Sequence, residues 1–187
     1  MKLGNEPIEL DEIDLGILSI LQENCRVSLA KIGEQVGLSS PSVIERVKKL
    51  EDGGLIRGYH ATLDARRLGM DITAFIGVYV SHPRLIERFE SEVHAIEDVL
   101  ECHHVTGSYT LLLKVKTANT SSLETLISRL RSIEGVEKTE TMVVLSTNTE
   151  RSQLKLPQSP APTVGGDSPP PEKKARRNAV ARTRIAS

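Results

Sequence analysis

The chain contains no tryptophan, only two phenylalanines and only three tyrosines. Its cores must therefore be built from aliphatic side chains packed at close quarters. It has two cysteines, Cys25 and Cys102, far apart and in different halves of the chain. That spacing disfavours a disulfide framework, and small apolar side chains are the plain reading. No apolar run is long enough to span a bilayer, and no signal peptide opens the chain. These features lead to the expectation of a cytoplasmic protein with no membrane partner. An excess of positive charge is also missing, since the net charge is −1. That argues weakly against nucleic acid, and any such role must rest on one local face.

What charge there is lies unevenly. From Pro157 onward the chain carries six basic residues and two acidic ones, a net of +4, which leaves −5 on the rest. Residues 153–187 are rich in Pro, Ser and Gly and then basic. They hold too few apolar side chains to fold alone, so a disordered tail is expected there. Residues 1–9 read as a frayed end.

The most informative stretch is 29–55, LAKIGEQVGLSSPSVIERVKKLEDGGL. Ser28 can cap a helix whose apolar side is Leu29, Ile32 and Val36. Gly37 stands where a left-handed turn residue is needed, and Gly33 is small enough to admit a close helix crossing. Ser40 and Pro41 restart a helix, as capping hydroxyl and first-turn proline. Val43, Val47 and Leu50 face inward, while Ser42, Glu45, Arg46 and Lys49 fall on another side. Gly53 and Gly54 end it. A helix, a glycine turn and a second helix with polar, partly basic residues outward is the helix-turn-helix design, whose second helix enters the major groove.

Upstream, Leu10, Ile13, Ile17, Ile20 and Leu21 recur at helical spacing over 11–23, with Asp11 and Asp14 in the first turn where the helix dipole favours anions. Downstream, 56–63 reads as a strand, the wing of a winged helix-turn-helix, with Arg57 and His60 able to approach phosphate. The head is thus 1–63 and a hinge follows at 64–71. From Ile72 the period changes. Strands are expected at 72–80, 99–106, 109–116 and 136–146, with helices at 83–94 and from Ser121, the latter with a capping box to Glu124. Strand-helix-strand twice over is a ferredoxin-like βαββαβ domain over 72–152. The fold class is α+β.

Several motifs occur in order: LDEIDLGIL, VGLSSPSVIERVKKLEDGGLIRGYHATLD, ECHHVTGSYTLLLKV and VEKTETMVVL. In this order they resemble the leucine-responsive and asparagine-regulator (Lrp/AsnC, or feast/famine) family of prokaryotic transcription factors, over roughly residues 10–152. The resemblance implies a sequence-specific regulator that binds double-stranded DNA. It implies a RAM-type C-terminal domain that dimerises through its sheet, with assembly beyond the dimer, commonly to an octamer. No acid-base pair, nucleophile arrangement or phosphate loop points to an enzyme, and no cofactor or metal is expected. Carried over by position, Ser39, Ser40, Ser42, Val43, Arg46 and Lys49 are the candidates for DNA contact, and Arg57 of the expected wing joins them from its own position beside the head. Gly107, Ser108, Tyr109 and Thr110, with Thr139 and Thr141, would form the pocket for a small amino-acid-like effector. Here the chain departs from the family. Amino-acid-binding relatives often carry acidic residues in this loop, whereas this one reads Gly-Ser-Tyr-Thr. A hydroxyl cannot supply the charge that a ligand ammonium needs, so a different ligand, or none, is open.

Two other readings of the same architecture are weighed. One is a sirohaem-decarboxylase-like enzyme, for which His103 and His104 are the sole supporting feature. The other is an effector sensor whose head no longer binds DNA. Cys102, His103 and His104 also raise zinc, but a site needs more ligands than this strand supplies.

Overall fold

Asp11 opens the first helix by closing a capping box with Asp14. Its carboxylate accepts from the Asp14 N–H at 2.8 Å, and Asp14 accepts in return from the Asp11 N–H. The computed structural model describes residues 9–157, and the expected frayed end is outside it up to residue 8. Helix α1 (Glu12–Glu23) is followed by α2 (Leu29–Val36), capped by Ser28 as expected. Gly37 ends α2 in the left-handed conformation, at φ 71°. The crossing assigned to Gly33 is closest at the turn itself: a Cβ there would collide with the Leu38 carbonyl oxygen. Helix α3 (Ser40–Asp52) takes its cap one residue earlier than expected, from Ser39, because the Ser39 hydroxyl reaches the Ser42 N–H. Ile17, Leu18, Ile32, Val43, Val47 and Leu50 form the core of this three-helix head.

The wing strand expected over 56–63 does not form: no strand pairs with this segment among the described residues. An extended segment becomes a strand only with a hydrogen-bonding neighbour, and the sheet recruits none of these residues. The hinge contains a short 3-10 turn, Arg66–Leu68, ended by Gly69 at φ 77°.

The second unit, Gly58–Ser152, carries the sheet. Strand β1 (Ile72–Val80) leads through the turn Pro83–Leu85 into α4 (Ile86–His94) and β2 (Val99–His104). Then come β3 (Leu111–Thr117), α5 (Thr120–Ser132) and β4 (Val136–Val143). The strands are all antiparallel in the order β2-β3-β1-β4, a ferredoxin-like sheet, and the α+β class stands. Strands β2 and β4 stop short of the expected 106 and 146, and β3 begins at Leu111, not 109. The cap of α5 is also not Ser121 with Glu124. Asn119 and Ser122 make the box, since the Asn119 carboxamide accepts from the Ser122 N–H and the Ser122 hydroxyl from the Asn119 N–H, each at 3.0 Å.

Alternation sorts the sheet into two faces. Ala74, Ile76 and Val78 of β1 and Leu111, Leu113 and Val115 of β3 meet Phe89, Val93, Leu123, Leu126 and Leu130 of the helices. Among the described residues no helix covers the other face. It presents Phe75, Gly77 and Tyr79 beside Leu112, Lys114 and Met142. On it Lys114 pairs with Glu101 at 3.2 Å and with Glu150 at 2.7 Å, and His103 approaches Glu101 at 3.0 Å. His103 and Lys114 hold the Glu101 carboxyl below its ordinary range.

The structure describes residues 153–157 of the tail expected to be disordered. Residues 153–157 belong with the head, where Leu156 packs against the apolar core. Composition misjudged them because a short segment can be held by another element's side chains without a core of its own. The rest of the expected tail, from 158, falls outside the described residues.

Candidate nucleic-acid interface and effector loop

Two serines shape the start of α3. The Ser39 hydroxyl accepts from the Ser42 N–H at 3.4 Å and lies 2.9 Å from the Ser42 hydroxyl. Ser39 is exposed, and Ser40 and Ser42 are half-buried. The helix start is therefore held by its own side chains: the Ser42 N–H is taken by Ser39 and Pro41 has none, so it is chiefly the helix dipole that favours an anion there. Lys49 is exposed near the far end of α3, its ammonium 3.5 Å from the Glu9 carbonyl. Arg57 is exposed just beyond the helix. These candidates share the accessible surface of the head.

Two of the DNA-contact candidates are placed elsewhere. Val43 is fully buried in the head core and touches no solvent. The same helical spacing that put Val47 and Leu50 inward puts Val43 inward too. Arg46 turns sideways toward α1. Its Nη1 donates to Asp14 Oδ1 at 2.8 Å and to Asp11 Oδ2 at 2.6 Å. Asp14 is 1% exposed, so its charge is compensated by Arg46 and by the Asp11 N–H. The two carboxylates raise Arg46 above its already high ordinary value. The Asp14 N–H, and next Arg46, hold the Asp11 carboxyl below the usual range.

The outer face of α3 is made instead by Pro41, Ile44, Glu45, Lys48 and Lys49, all exposed. Ile44 is 49% exposed, unusual for so large an apolar side chain at a helix centre. Lys48 and Ile44 were missed by the sequence reading. Their signal was present: on the helical wheel both lie outside the arc of Val43, Val47 and Leu50.

In the second unit the structure divides the effector candidates. Gly107 takes a positive φ of 115°, and Tyr109 folds back over the helix-free face. Its ring covers Gly77, where an added Cβ would strike it, and meets Tyr79 edge-on at 5.5 Å and 74°. Lys138 lies 5.1 Å from the centre of the Tyr79 ring. Burial, then the charge of the Glu140 carboxylate, push the Tyr109 phenol up. Thr110 ties the loop to β1: its N–H donates to the Val78 carbonyl at 2.9 Å, and its hydroxyl accepts from the Val80 N–H at 3.2 Å. Thr139 and Thr141 lie on the opposite, helix-bearing face, across from Val78 and Ile76. Thr139 is buried, with its hydroxyl accepting from Arg131 Nε at 2.8 Å. The loop and the two threonines are not brought together on one face. The residue the sequence reading missed is Glu140, a carboxylate beside the loop contributed by another strand.

No helix among the described residues is long and apolar enough to cross a membrane. A family profile for the AsnC-type helix-turn-helix domain matches residues 10–51, and one for the Lrp/AsnC ligand binding domain matches residues 73–154. The HTH-type transcriptional regulator FL11 of Pyrococcus abyssi is 35% identical over 149 residues, covering 80% of this chain and 98% of that one. The leucine-responsive regulatory protein of Escherichia coli is 34% identical over 149 residues, covering 78% and 91%. A solved transcriptional regulator from Neisseria meningitidis, in complex with L-Met, superposes with a TM-score of 0.75 at 30% identity, covering 79% of this chain and 97% of that one.

Proposed function

The chain belongs to the Lrp/AsnC family of DNA-binding transcriptional regulators, and from that premise we propose that it reads DNA with the outer face of α3 and the serine-capped start of that helix. The observation that carries this reading is the exposure of Pro41, Ile44, Glu45, Lys48 and Lys49 on the side of α3 away from the core. Ser39, Ser40 and Ser42 meet phosphate or a base edge at the helix start. Lys48, Lys49 and Arg57 meet phosphate. Ile44 suits an apolar contact such as a thymine methyl. Arg46 is a positioning residue: it fixes α3 against α1 through Asp11 and Asp14. The enzyme alternative is set aside, since the relatives are named as regulators. Such a role places the chain in the cytoplasm, where prokaryotic DNA is found.

The domains divide in this reading as a DNA-binding head and a regulatory domain with its linker. The helix-free face of the sheet, with Phe75, Tyr79, Leu112 and Met142, is the surface on which two copies pair, and pairs assemble further. A symmetric dimer carries two α3 helices and reads half-sites separated by whole helical turns. The relative from Neisseria binds L-Met. For this chain the effector is an amino-acid-like molecule held by Gly107, Ser108, Tyr109 and Thr110. Glu140 supplies the carboxylate that the loop lacks, and Lys138 supplies a cation beside it. Thr139 and Thr141 support β4 from behind.

Selection of bound duplexes from a randomised pool tests the reading. A recovered inverted repeat supports it. A pool that stays random after repeated rounds overturns it.

A further inference from the structure

Strand β2 stands at one end of the sheet order β2-β3-β1-β4, so the sheet pairs only one of its two sides. Main-chain bonds at its two ends decide which residues turn toward β3. The Lys116 N–H donates to the Asp98 carbonyl at 3.0 Å, and the Val105 N–H donates to the Thr110 carbonyl at 3.2 Å. Between them Glu101 lies opposite Lys114, Cys102 opposite Leu113, His103 opposite Leu112 and His104 opposite Leu111. Bonded and unbonded pairs alternate along an antiparallel ladder. With Val105 bonded to β3, His103 and Glu101 bond to it as well. Cys102 and His104 therefore turn their N–H and C=O groups to the outer edge, which no strand covers among the described residues. The strand has neither the proline nor the lysine that blunts such an edge. Its one irregularity, between Val99 and Glu101, leaves 101–104 regular.

An antiparallel copy of the same strand fits this edge best in one register. Only residues whose backbone turns outward can exchange bonds, so the two-fold axis passes through a residue and not between two. An axis through Glu101 opposes two carboxylates, and one through His103 opposes two imidazoles. An axis through His104 sets Cys102 and Glu101 opposite residues 106 and 107, past the end of the strand. An axis through Cys102 opposes Cys102 to itself and sets Glu101 opposite His103 twice. Unlike groups directly opposite each other favour pairing, and like groups oppose it. Glu101 and His103 are both exposed, and within one chain they already approach at 3.0 Å. On the helix-bearing side a cleft of about 350 Å³, lined by Glu90, Val93, His94, Leu100 and Cys102, leaves room for the side chains of the added strand.

We propose that the outer edge of β2 is an interaction surface for a second copy of this chain, which adds its own β2 antiparallel about a two-fold axis through Cys102. Glu101 of each copy then lies between its own Lys114 and His103 of the other. The edge and the helix-free face are separate surfaces, so a chain already paired through the face can join a further pair through β2. Each junction is short, and several closing in one assembly hold more firmly than one alone.

The test uses the full chain with Cys25→Ser, which leaves Cys102 as its one thiol. In the proposed register the two Cys102 residues form a bonded pair with Cα atoms about 5.5 Å apart, within the span of a disulfide. Copper-phenanthroline oxidation at neutral pH is expected to join the chains two by two, as read on a non-reducing gel. Adding His103→Glu sets a carboxylate opposite Glu101 at both flanking pairs, and is expected to slow the joining by about tenfold. Adding Glu101→Lys to that variant makes the flanking pairs unlike again, and is expected to restore the rate. Light scattering is expected to show a lower solution mass for His103→Glu and recovery in the double variant, with far-UV circular dichroism unchanged throughout. Absence of joined chains overturns the proposal. Equal joining rates in the three proteins also overturn it, since chance collision of exposed thiols ignores the residues on either side. A solution mass that His103→Glu leaves unaltered overturns it as well.

Discussion

Arg46 Nη1 stands 2.8 Å from Asp14 Oδ1, joining the middle of α3 to the first turn of α1 across 32 residues of sequence. The aspartate is buried and the arginine is about one-third exposed. The same nitrogen also reaches Asp11. An arginine on a helix that reads DNA would ordinarily be assigned to a base or a phosphate. Here its first task is to neutralise a carboxylate that the head encloses.

Arg46→Ala is therefore expected to lower the stability of the head by about 2–3 kcal/mol, because it leaves the buried Asp14 without its cation. Urea unfolding followed by helical signal measures this. Adding Asp14→Asn is expected to recover part of the loss, since a neutral amide is cheaper to enclose. An unchanged unfolding midpoint together with lost discrimination between duplexes would return Arg46 to base readout.

Acid should weaken the same contact. The Asp11 carboxyl is held below its ordinary range by the Asp14 N–H and then by Arg46. A carboxylate whose folded value is depressed contributes stability that is fully present above its unfolded value of about 3.9. That contribution disappears as pH falls through the lower folded value. The urea midpoint of the wild type should therefore drop below about pH 4. Asp11→Asn should show a shallower fall over that range, and identical acid limbs for the two proteins would remove the contact as a source of pH dependence.

Much of the architecture was legible because it follows from short-range rules. Ser28, Gly37 and the spacing of Val43, Val47 and Leu50 define the two central helices by capping, handedness and period. The β1 strand at Ile72–Val80 matches its expected bounds because a run of apolar and β-branched residues between Asp71 and Ser81 has no other outlet. What was not legible depends on partners distant in sequence. Asp14 and Gln22 look like ordinary surface residues until Arg46 and Leu154 arrive beside them. Glu140 is one acid among many until Tyr109 folds across β1. The strand expected at 56–63 has the right composition, but composition carries no information about whether a neighbour is present.

Gly77→Ala is expected to lift the Tyr109 ring off the sheet, because the new methyl group occupies the ring's position. With no tryptophan in the chain, the near-UV circular dichroism reports tyrosine with little else. That band should change while the far-UV spectrum stays the same, and binding of an effector carried by the loop should weaken. An unaltered near-UV band would place the ring's packing elsewhere.

Lys48→Gln and Lys49→Gln test the outer face of α3. Each is expected to reduce the salt slope of DNA binding by about 0.9 if the ammonium meets one phosphate. Both side chains are exposed, so stability should change by no more than about 0.5 kcal/mol. A lysine whose replacement leaves the slope intact makes no phosphate contact.

The most direct measurement is anisotropy of the full chain on duplex DNA from upstream of its own gene, against a scrambled duplex of equal length, over a rising salt series. A head that reads sequence through α3 predicts a preference for the upstream duplex that survives as salt weakens both complexes. Ile44→Ala should narrow that preference without changing the salt slope. Equal affinity for the two duplexes, vanishing together as salt rises, would contradict sequence reading by this helix.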